Sequence, residues 1–478
     1  MARRKPRPPT SLRLDRLEEK QTRGLDPAGR ELLVRGAPVG AVIEARPSKG
    51  GLGVRLSTIT PAIDAVEPAC PVFGMCGGCQ LQEMPLGAQR REKDDLVARL
   101  VEVHADPTVR RHPIVGAPPA YGYRNKLELS FGPQRYETQA DRDLRDAELG
   151  AELPPLRGSF LGFHPPGWFA RIVPVGGCPL GSPAMQAVIA AVSARSPGPA
   201  WDTTRQTGNY RHLVIRDAGT VQEPHLVVSF VTTSATPEAE IQALATEVGA
   251  LPGVASVLWV ENDGVAEVAA GRLRAVLQGA PVLPFRLSRC ALDLPYDGFF
   301  QVNTEGAELL FGVIEGALFP DGPPAAPAGL LFDLYCGVGV IGLHLARHFE
   351  RVVGVELHAG SVEQARQNAV RNGVAGEWHT GPVEEVLPSL ALEGARHIVV
   401  DPPRVGLHPR AAKFLATVDA DVLVYVSCGP RALARDRPIL EAGGWRLTDL
   451  WSVDLFPQTH HVEAVARYVK TRSPEPQP

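Results

Sequence analysis

From Leu330 onward, apolar runs of four to six residues alternate with longer stretches in which apolar residues recur three and four apart. The short runs predict strands at 330–334, 351–356, near Glu377, at 397–400 and at 421–427. Between them the helical spacing covers 360–372, 383–391, 408–417 and 431–441, and two β-like runs, 445–455 and 462–470, close the pattern. Such alternation builds a doubly wound parallel sheet. Upstream, a helix over 305–318 leads through the Pro-rich segment 320–327, which acts as a hinge into the Leu330 strand. Strand-like runs within 211–230 and 254–277 predict a mixed α/β middle region, while residues 134–157 are charged and read as an exposed insertion. Near the start, Leu32–Val34, Val39–Ile43 and Gly53–Val54 are separated by Gly, Pro and charge, the pattern of a small β-barrel. The predicted organisation is a tail at 1–10, a barrel at 11–66, a central region at 67–300, a C-terminal α/β domain at 301–472 and a second tail at 473–478.

Composition adds little until its distribution is considered. The chain has 478 residues, is 44% hydrophobic and carries a net charge of −4, enough for roughly three domains with proper cores. Residues 1–60 hold 13 Lys and Arg against 6 Asp and Glu, so the basic charge sits at one end, as in a polyanion-binding appendage on an enzyme body or a solvated tail. No apolar segment follows the basic start, and no run approaches the ~18 residues of a membrane span. A cytoplasmic protein without membrane attachment, and with no evident obligate protein partner, is expected.

The stretch from Leu330 to Glu356 concentrates the first candidate chemistry. An apolar run with Asp333 near its end meets Cys336-Gly337-Val338-Gly339, a turn whose glycines let a ligand approach the backbone. The helix that follows presents its N–H groups, and Glu356 at the next strand's tip suits two ribose hydroxyls. Gly337, Gly339 and Gly342 also satisfy the dinucleotide fingerprint, yet Asp333 would repel a pyrophosphate and suits a cationic amino acid moiety, as in S-adenosylmethionine (SAM).

Cys70, Cys76 and Cys79 form a C-x5-C-x2-C array in a chain with seven cysteines, and Cys178, preceded by Gly and followed by Pro, is the best fourth ligand. Zinc and an iron–sulfur cluster both accept four thiolates, and spacing does not separate them. Tyr121-Gly-Tyr-Arg-Asn-Lys126 mixes cations and aromatic rings ahead of a strand, which suits phosphate and base stacking. Asp401 opens a rigid Asp-Pro-Pro turn, but Arg404 stands where methyltransferases of exocyclic amines place an aromatic residue. Cys428 precedes Pro430, which can start a helix, so its thiolate should be favoured there, with Arg431 adding to the effect. A cysteine beside SAM has a specific use: carbon 5 of uracil accepts a methyl group only after a thiolate adds to carbon 6, and a base must then remove the carbon 5 proton. Glu463, flanked by His460 and His461, is the natural base.

In this order the motifs YRNK, FFQVN, DLYCGVG, DPPR, VSC and FPQTHHVE, with the cysteine array, resemble the RNA uracil-5 methyltransferase family in its iron–sulfur-containing branch, over essentially the full length. The resemblance implies a Rossmann-like class I SAM methyltransferase domain, an N-terminal TRAM/OB-like barrel and a central α/β region bearing a [4Fe-4S] cluster on Cys70, Cys76, Cys79 and Cys178. It implies Cys428 as nucleophile, Glu463 as base, and Gln301, Tyr335, Gly337, Glu356 and Asp401 as the SAM site. The implied partner is structured RNA, ribosomal RNA ahead of tRNA. Two positions depart from the family pattern: Gly429 replaces the usual Asn, and Val340 the usual small polar residue. An RNA-binding or assembly factor that keeps the fold without turnover is the competing expectation, and a nicotinamide oxidoreductase the third.

Overall fold

The structure is a computed structural model that describes residues 7–103, 106–117, 119–138, 141–143, 155–195, 197–390 and 395–471. The expected tail 473–478, residues 1–6 of the first tail and the larger part of the expected insertion 134–157 lie outside the described residues. The first barrel strand begins at Thr10, so chain expected to be tail already pairs there with Ala45.

Strands Thr10–Leu17, Thr22–Leu25, Glu31–Val34, Val42–Pro47 and Leu52–Thr60 close the small barrel. Period-two alternation decides which way each side chain points: Leu12 and Leu14 fill the interior with Leu32, Val34 and Ile43, while Arg13 and Asp15 face outward. The middle region is a seven-stranded mixed sheet in the spatial order Val173–Pro174, Arg157–Phe163, Lys126–Gln134, Tyr210–Asp217, Leu226–Thr232, Val254–Glu261 and Arg272–Gln278. Helices Pro183–Arg195 and Glu238–Gly249 bury Val188, Ile189, Ile241 and Leu244 in the same core as this sheet.

The C-terminal sheet follows the predicted alternation. Its parallel strands lie in the order Gly376–Thr380, Arg351–Glu356, Leu330–Leu334, Ala395–Val400 and Val422–Ser427, followed by antiparallel Glu463–Lys470 and then Trp445–Asp454. Numbered from Leu330, this is the order 3-2-1-4-5-7-6. The helix expected over 383–391 is shorter, an α-helical turn Val383–Val386 running into a 3-10 turn Leu387–Ser389 that contains Pro388.

Residues 86–116, expected within the central region, contribute to the C-terminal core. Arg110–Arg111 and Val115–Gly116 pair in parallel with Trp445–Asp454 at the sheet's edge. The preceding helix, Leu86–Leu100, places Val97 and Ala98 in one cluster with Trp445, Leu447, Leu450 and Tyr468. Hairpin Val282–Arg286/Ala291–Pro295 likewise packs Leu283, Phe285 and Leu292 with Phe311 and Leu331. The core therefore crosses the boundary expected at residue 301.

Candidate active site

At the carboxyl ends of the parallel strands lies a cavity of about 1500 Å³. Gln301, Tyr335, Gly337, Glu356, Asp401, Cys428 and Glu463 all line it, so the expected cofactor and reacting residues share one chamber. Cys70, Cys76, Cys79 and Cys178 do not line it.

One end is the glycine turn. After strand Leu330–Leu334, Tyr335 takes a positive φ of 63°, and the N–H groups of Tyr335 and Cys336 donate to the Val355 carbonyl at 2.8 and 3.1 Å. Gly337 also has positive φ, 55°, and a Cβ there would meet nothing within 4 Å. Its N–H donates to Glu356 Oε2 at 3.2 Å, while the His358 N–H donates to Oε1 at 2.9 Å, which fixes the carboxylate at the strand tip. The other two glycines of the fingerprint do different work. A Cβ on Gly339 would come 2.8 Å from the Trp378 ring, and one on Gly342 would come 2.8 Å from Val352 and 3.0 Å from Asp333 Oδ2. Only Gly337 of the three opens onto space; Gly339 allows Trp378 to pack beneath the turn, and Gly342 admits Val352 and Asp333. Asp333, expected to face a cationic ligand, does not line the cavity. It is fully buried, accepts the Gly342 N–H at 2.8 Å, and is pushed up to about 7 by burial and by the Glu356 charge.

The other end joins two adjacent strands. Ser427 lies opposite Ala464 in the antiparallel pair, so one further step brings Cys428 level with Glu463. Burial, with the charges of Glu463 and Asp401, pushes the Cys428 thiol up to about 11. Glu463, 2% exposed, is pushed up to about 8 by burial and Asp401, and Asp401 up to about 7 by burial and Asp333. Arg404 opposes this trend at both Cys428 and Glu463. Its Nη2 donates to His461 Nδ1 at 2.8 Å, and burial together with the Arg404 charge holds that ring neutral, down to about 4.

The expectation of a favoured thiolate at Cys428 is therefore corrected. Helix Pro430–Ala442 begins beyond Gly429, the surroundings favour the neutral thiol, and Arg431 turns away to pair with Glu19 on the barrel at 2.7 Å. Arg404 is the cation that favours the thiolate. Gly429, the first departure from the family pattern, also has a local reason: a Cβ there would stand 2.8 Å from the Arg404 carbonyl oxygen, so the bare backbone lets the two turns meet. Val340, the second, opens helix Val340–Leu345 and lines the cavity with an apolar side chain.

The motif 121–126, expected to meet phosphate and bases, is mainly a brace. Tyr123 is 7% exposed and donates its hydroxyl to the Pro457 carbonyl at 2.9 Å. Asn125 Nδ2 donates to the Gln301 carbonyl at 2.8 Å, and the Asn125 N–H donates to the Val302 carbonyl at 2.9 Å, which fixes the segment presenting Gln301. Of this motif, Arg124 reaches the cavity. Around the cysteine array, Gly78 donates its N–H to Cys76 Sγ at 3.3 Å, and burial pushes Cys76 up to about 11 and Cys79 up to about 12. The thiols act on one another's charge, Cys178 and Cys70 raising both. Among the described residues no group of three or more His, Cys, Asp or Glu is placed to hold a metal ion as it stands.

Residues 389–470 match the family described as tRNA (Uracil-5-)-methyltransferase, and 313–416 the methyltransferase small domain. The chain is 32% identical over 472 residues to an uncharacterized RNA methyltransferase of Chlorobaculum tepidum, covering 95% of this chain and 93% of that one. The chain belongs to the RNA (uracil-5-)-methyltransferase family. A second relative from Gloeobacter violaceus, also an uncharacterized RNA methyltransferase, is 33% identical to the enzyme over 451 residues, covering 92% and 91% of the two chains. The fold is similar to that of the Pyrococcus abyssi tRNA (uracil-54, C5)-methyltransferase solved with S-adenosyl-L-homocysteine. The TM-score is 0.73 at 24% identity, covering 96% of the enzyme and 99% of that chain. The enzyme is a SAM-dependent RNA methyltransferase of the 5-methyluridine family. Among the described residues no helix is long and apolar enough to cross a membrane.

Proposed function

We propose that the enzyme forms 5-methyluridine at a specific uridine of structured RNA, with large-subunit ribosomal RNA the favoured substrate, through a covalent bond between Cys428 and uracil carbon 6. The observation that carries this reading is the placing of Cys428 and Glu463 level on adjacent strands, with Arg404 acting on both, in the chamber that also holds Gly337 and Glu356. The Cys428 thiol gives up its proton to solvent, a loss that Arg404 favours; the thiolate then adds to carbon 6, and the electron pair of the C5–C6 double bond moves onto carbon 5 and the adjacent carbonyl. SAM, when bound, supplies the methyl group that carbon 5 takes. Glu463 then removes the carbon 5 proton, the double bond re-forms, and the C6–S bond breaks to release the thiolate.

Arg404 favours the charged forms that both residues need. The cofactor residues fit a nucleoside with a charged tail: Glu356 is fixed for the ribose hydroxyls, the open face of Gly337 allows close approach, and Gln301, Tyr335 and Asp401 complete the wall.

Cys70, Cys76, Cys79 and Cys178 would hold a [4Fe-4S] cluster, supported by four half-buried thiols within one another's field and by the Gly78 N–H aimed at Cys76 sulfur. Its contribution there would be to cross-link the 70–79 loop to the turn at 178. The TRAM-like barrel, with its basic charge, would be the RNA-binding appendage. A tRNA substrate is the second reading, favoured by the description of the family matched at 389–470.

The test is nucleoside mass spectrometry on RNA from cells lacking this gene, after incubation with anaerobically purified enzyme and SAM, with ribosomal and transfer RNA pools kept apart. New 5-methyluridine in ribosomal RNA supports the reading. Its appearance in tRNA alone moves the assignment to the second reading, and none in either pool overturns both.

A further inference from the structure

The loop 455–462, between strands Trp445–Asp454 and Glu463–Lys470, leads directly into the base, Glu463, and is almost entirely buried. Gln458, Thr459 and His460 are each 3% exposed or less, an unusual condition for a polar turn. Gln458 also takes a positive φ of 70°, which a non-glycine residue adopts only where its surroundings hold it. Those surroundings come from the other end of the chain. Gln89, fully buried on helix Leu86–Leu100, donates Nε2 to Gln458 Oε1 at 2.9 Å and accepts the Gln458 backbone N–H at 2.8 Å. One turn further along, the buried Lys93 ammonium donates to Asp454 Oδ1 at 2.6 Å and to the Phe456 carbonyl at 3.0 Å. From the loop that follows Cys79, the N–H groups of Gln80 and Leu81 both donate to the Gln458 carbonyl, at 2.9 and 3.0 Å.

We propose that Gln89 and Lys93 are positioning residues for catalysis: they clamp Asp454, Phe456 and Gln458 so that Glu463 is held against carbon 5 of the uracil bonded to Cys428. Neither side chain lines the cavity, so neither touches substrate; each acts through the loop. Because Gln80 and Leu81 grip the same carbonyl, the cysteine loop is the third arm of the clamp. The arrangement fits a step that depends on orientation: Cys428 follows strand Val422–Ser427, outside this loop, whereas Glu463 opens its strand directly after the clamped loop, and proton removal requires its carboxylate within hydrogen-bond reach of one carbon.

The inference rests on the assignment of Cys428 and Glu463 above, and it separates two steps that a merely structural role would not. Loss of the clamp should leave adduct formation intact and slow adduct release. The experiment incubates full-length enzyme with SAM and the methyl-accepting RNA pool, and follows both 5-methyluridine and protein–RNA adduct stable to denaturing electrophoresis. Wild type, Cys428→Ala, Glu463→Gln, Gln89→Met, Lys93→Met and Gln458→Gly are compared. Gln458→Gly keeps the positive φ at no cost while deleting the amide pair, so it remains informative should a buried substitution fail to fold.

The expected result is a ~100-fold lower turnover in the clamp variants, the scale of a small misplacement of a reacting group, with adduct accumulating as in Glu463→Gln and with KM for SAM unchanged. Normal turnover in Gln458→Gly, or slow turnover without adduct, overturns the clamp. Absence of adduct in Glu463→Gln itself overturns the assignment of the pair, and the clamp with it.

Discussion

The cofactor end of the cavity is made largely by one consecutive stretch, Leu330–Glu356, in which each residue is set by near neighbours: Tyr335 and Cys336 on Val355, and Gly337 on Glu356. The reacting end gathers Arg404, Cys428 and Glu463 from separate segments, beside a loop held by Gln89 and Lys93 through bonds to Gln458 and Asp454 that span more than 350 positions. The first is a local motif that a sheet presents wherever it is folded. The second exists only once the whole chain has closed on itself, and its chemistry is correspondingly sensitive to groups that never meet the substrate.

Substitutions can break or sharpen this contrast. The largest effect is expected from Cys428→Ala, which should bring 5-methyluridine below detection by mass spectrometry while SAM affinity, measured by calorimetry, stays at the wild-type value. Glu356→Ala attacks the opposite end. Losing charged hydrogen bonds to two hydroxyls, of the order of 1.5–3 kcal/mol, should weaken SAM binding about 10- to 100-fold in the same calorimeter.

Arg404→Ala probes the reacting end through pH. Arg404 lowers the pKa of both Cys428 and Glu463, so the rising limb of kcat/KM should move about one pH unit to the alkaline side. A profile that stays in place would mean that Arg404 does not tune the pair.

Glu463→Gln separates stability from activity. The folded carboxyl is raised from 4.5 to about 8, so the stability associated with its protonated form is fully present below pH 4.5 and lost as pH rises through about 8. The amide removes that loss. Urea midpoints of the variant should therefore exceed those of wild type increasingly from about pH 5 to about pH 9, although turnover is lost. The smallest effect is expected from Gly429→Ala, whose Cβ would press on the Arg404 carbonyl; a cost of about 1–3 kcal/mol in urea unfolding is expected for such overpacking.

The same contrast governs what the sequence discloses. The order of strands and helices after Leu330 could be read because periodicity is local, and the nucleotide-type turn because Gly337 and Glu356 are joined through the backbone of one strand–turn–helix unit. Cys428 and Glu463 were singled out from the chemistry of uracil together with the family pattern, and both line the cavity side by side, where the roles given them are our proposal. Gln89 and Lys93 were not: in LGAQRREKDDLVARL they look like the polar face of an exposed helix, and only contacts with residues 454–458 show otherwise. Tyr123 misled for the same reason, since an aromatic ring beside cations suits RNA in isolation but is buried here as a brace. Arg431 sits one helical position from Pro430, yet its partner Glu19 lies on the barrel, which proximity in sequence could not reveal.

The parallel pairing of Arg110–Arg111 and Val115–Gly116 with Trp445–Asp454 bears on how the enzyme is made. During synthesis, helix Leu86–Leu100 and these strands leave the ribosome more than three hundred residues before the strand they flank. Until the last part of the message is read, Val97, Ala98 and Val101 have no Trp445 or Leu450 to cover them, and the nascent chain carries an apolar surface that only completion can bury. A chain ending before residue 445 would lack both Glu463 and the Trp445 and Leu450 side chains that cover this surface, so the apolar face of helix Leu86–Leu100 and the proposed base are completed together.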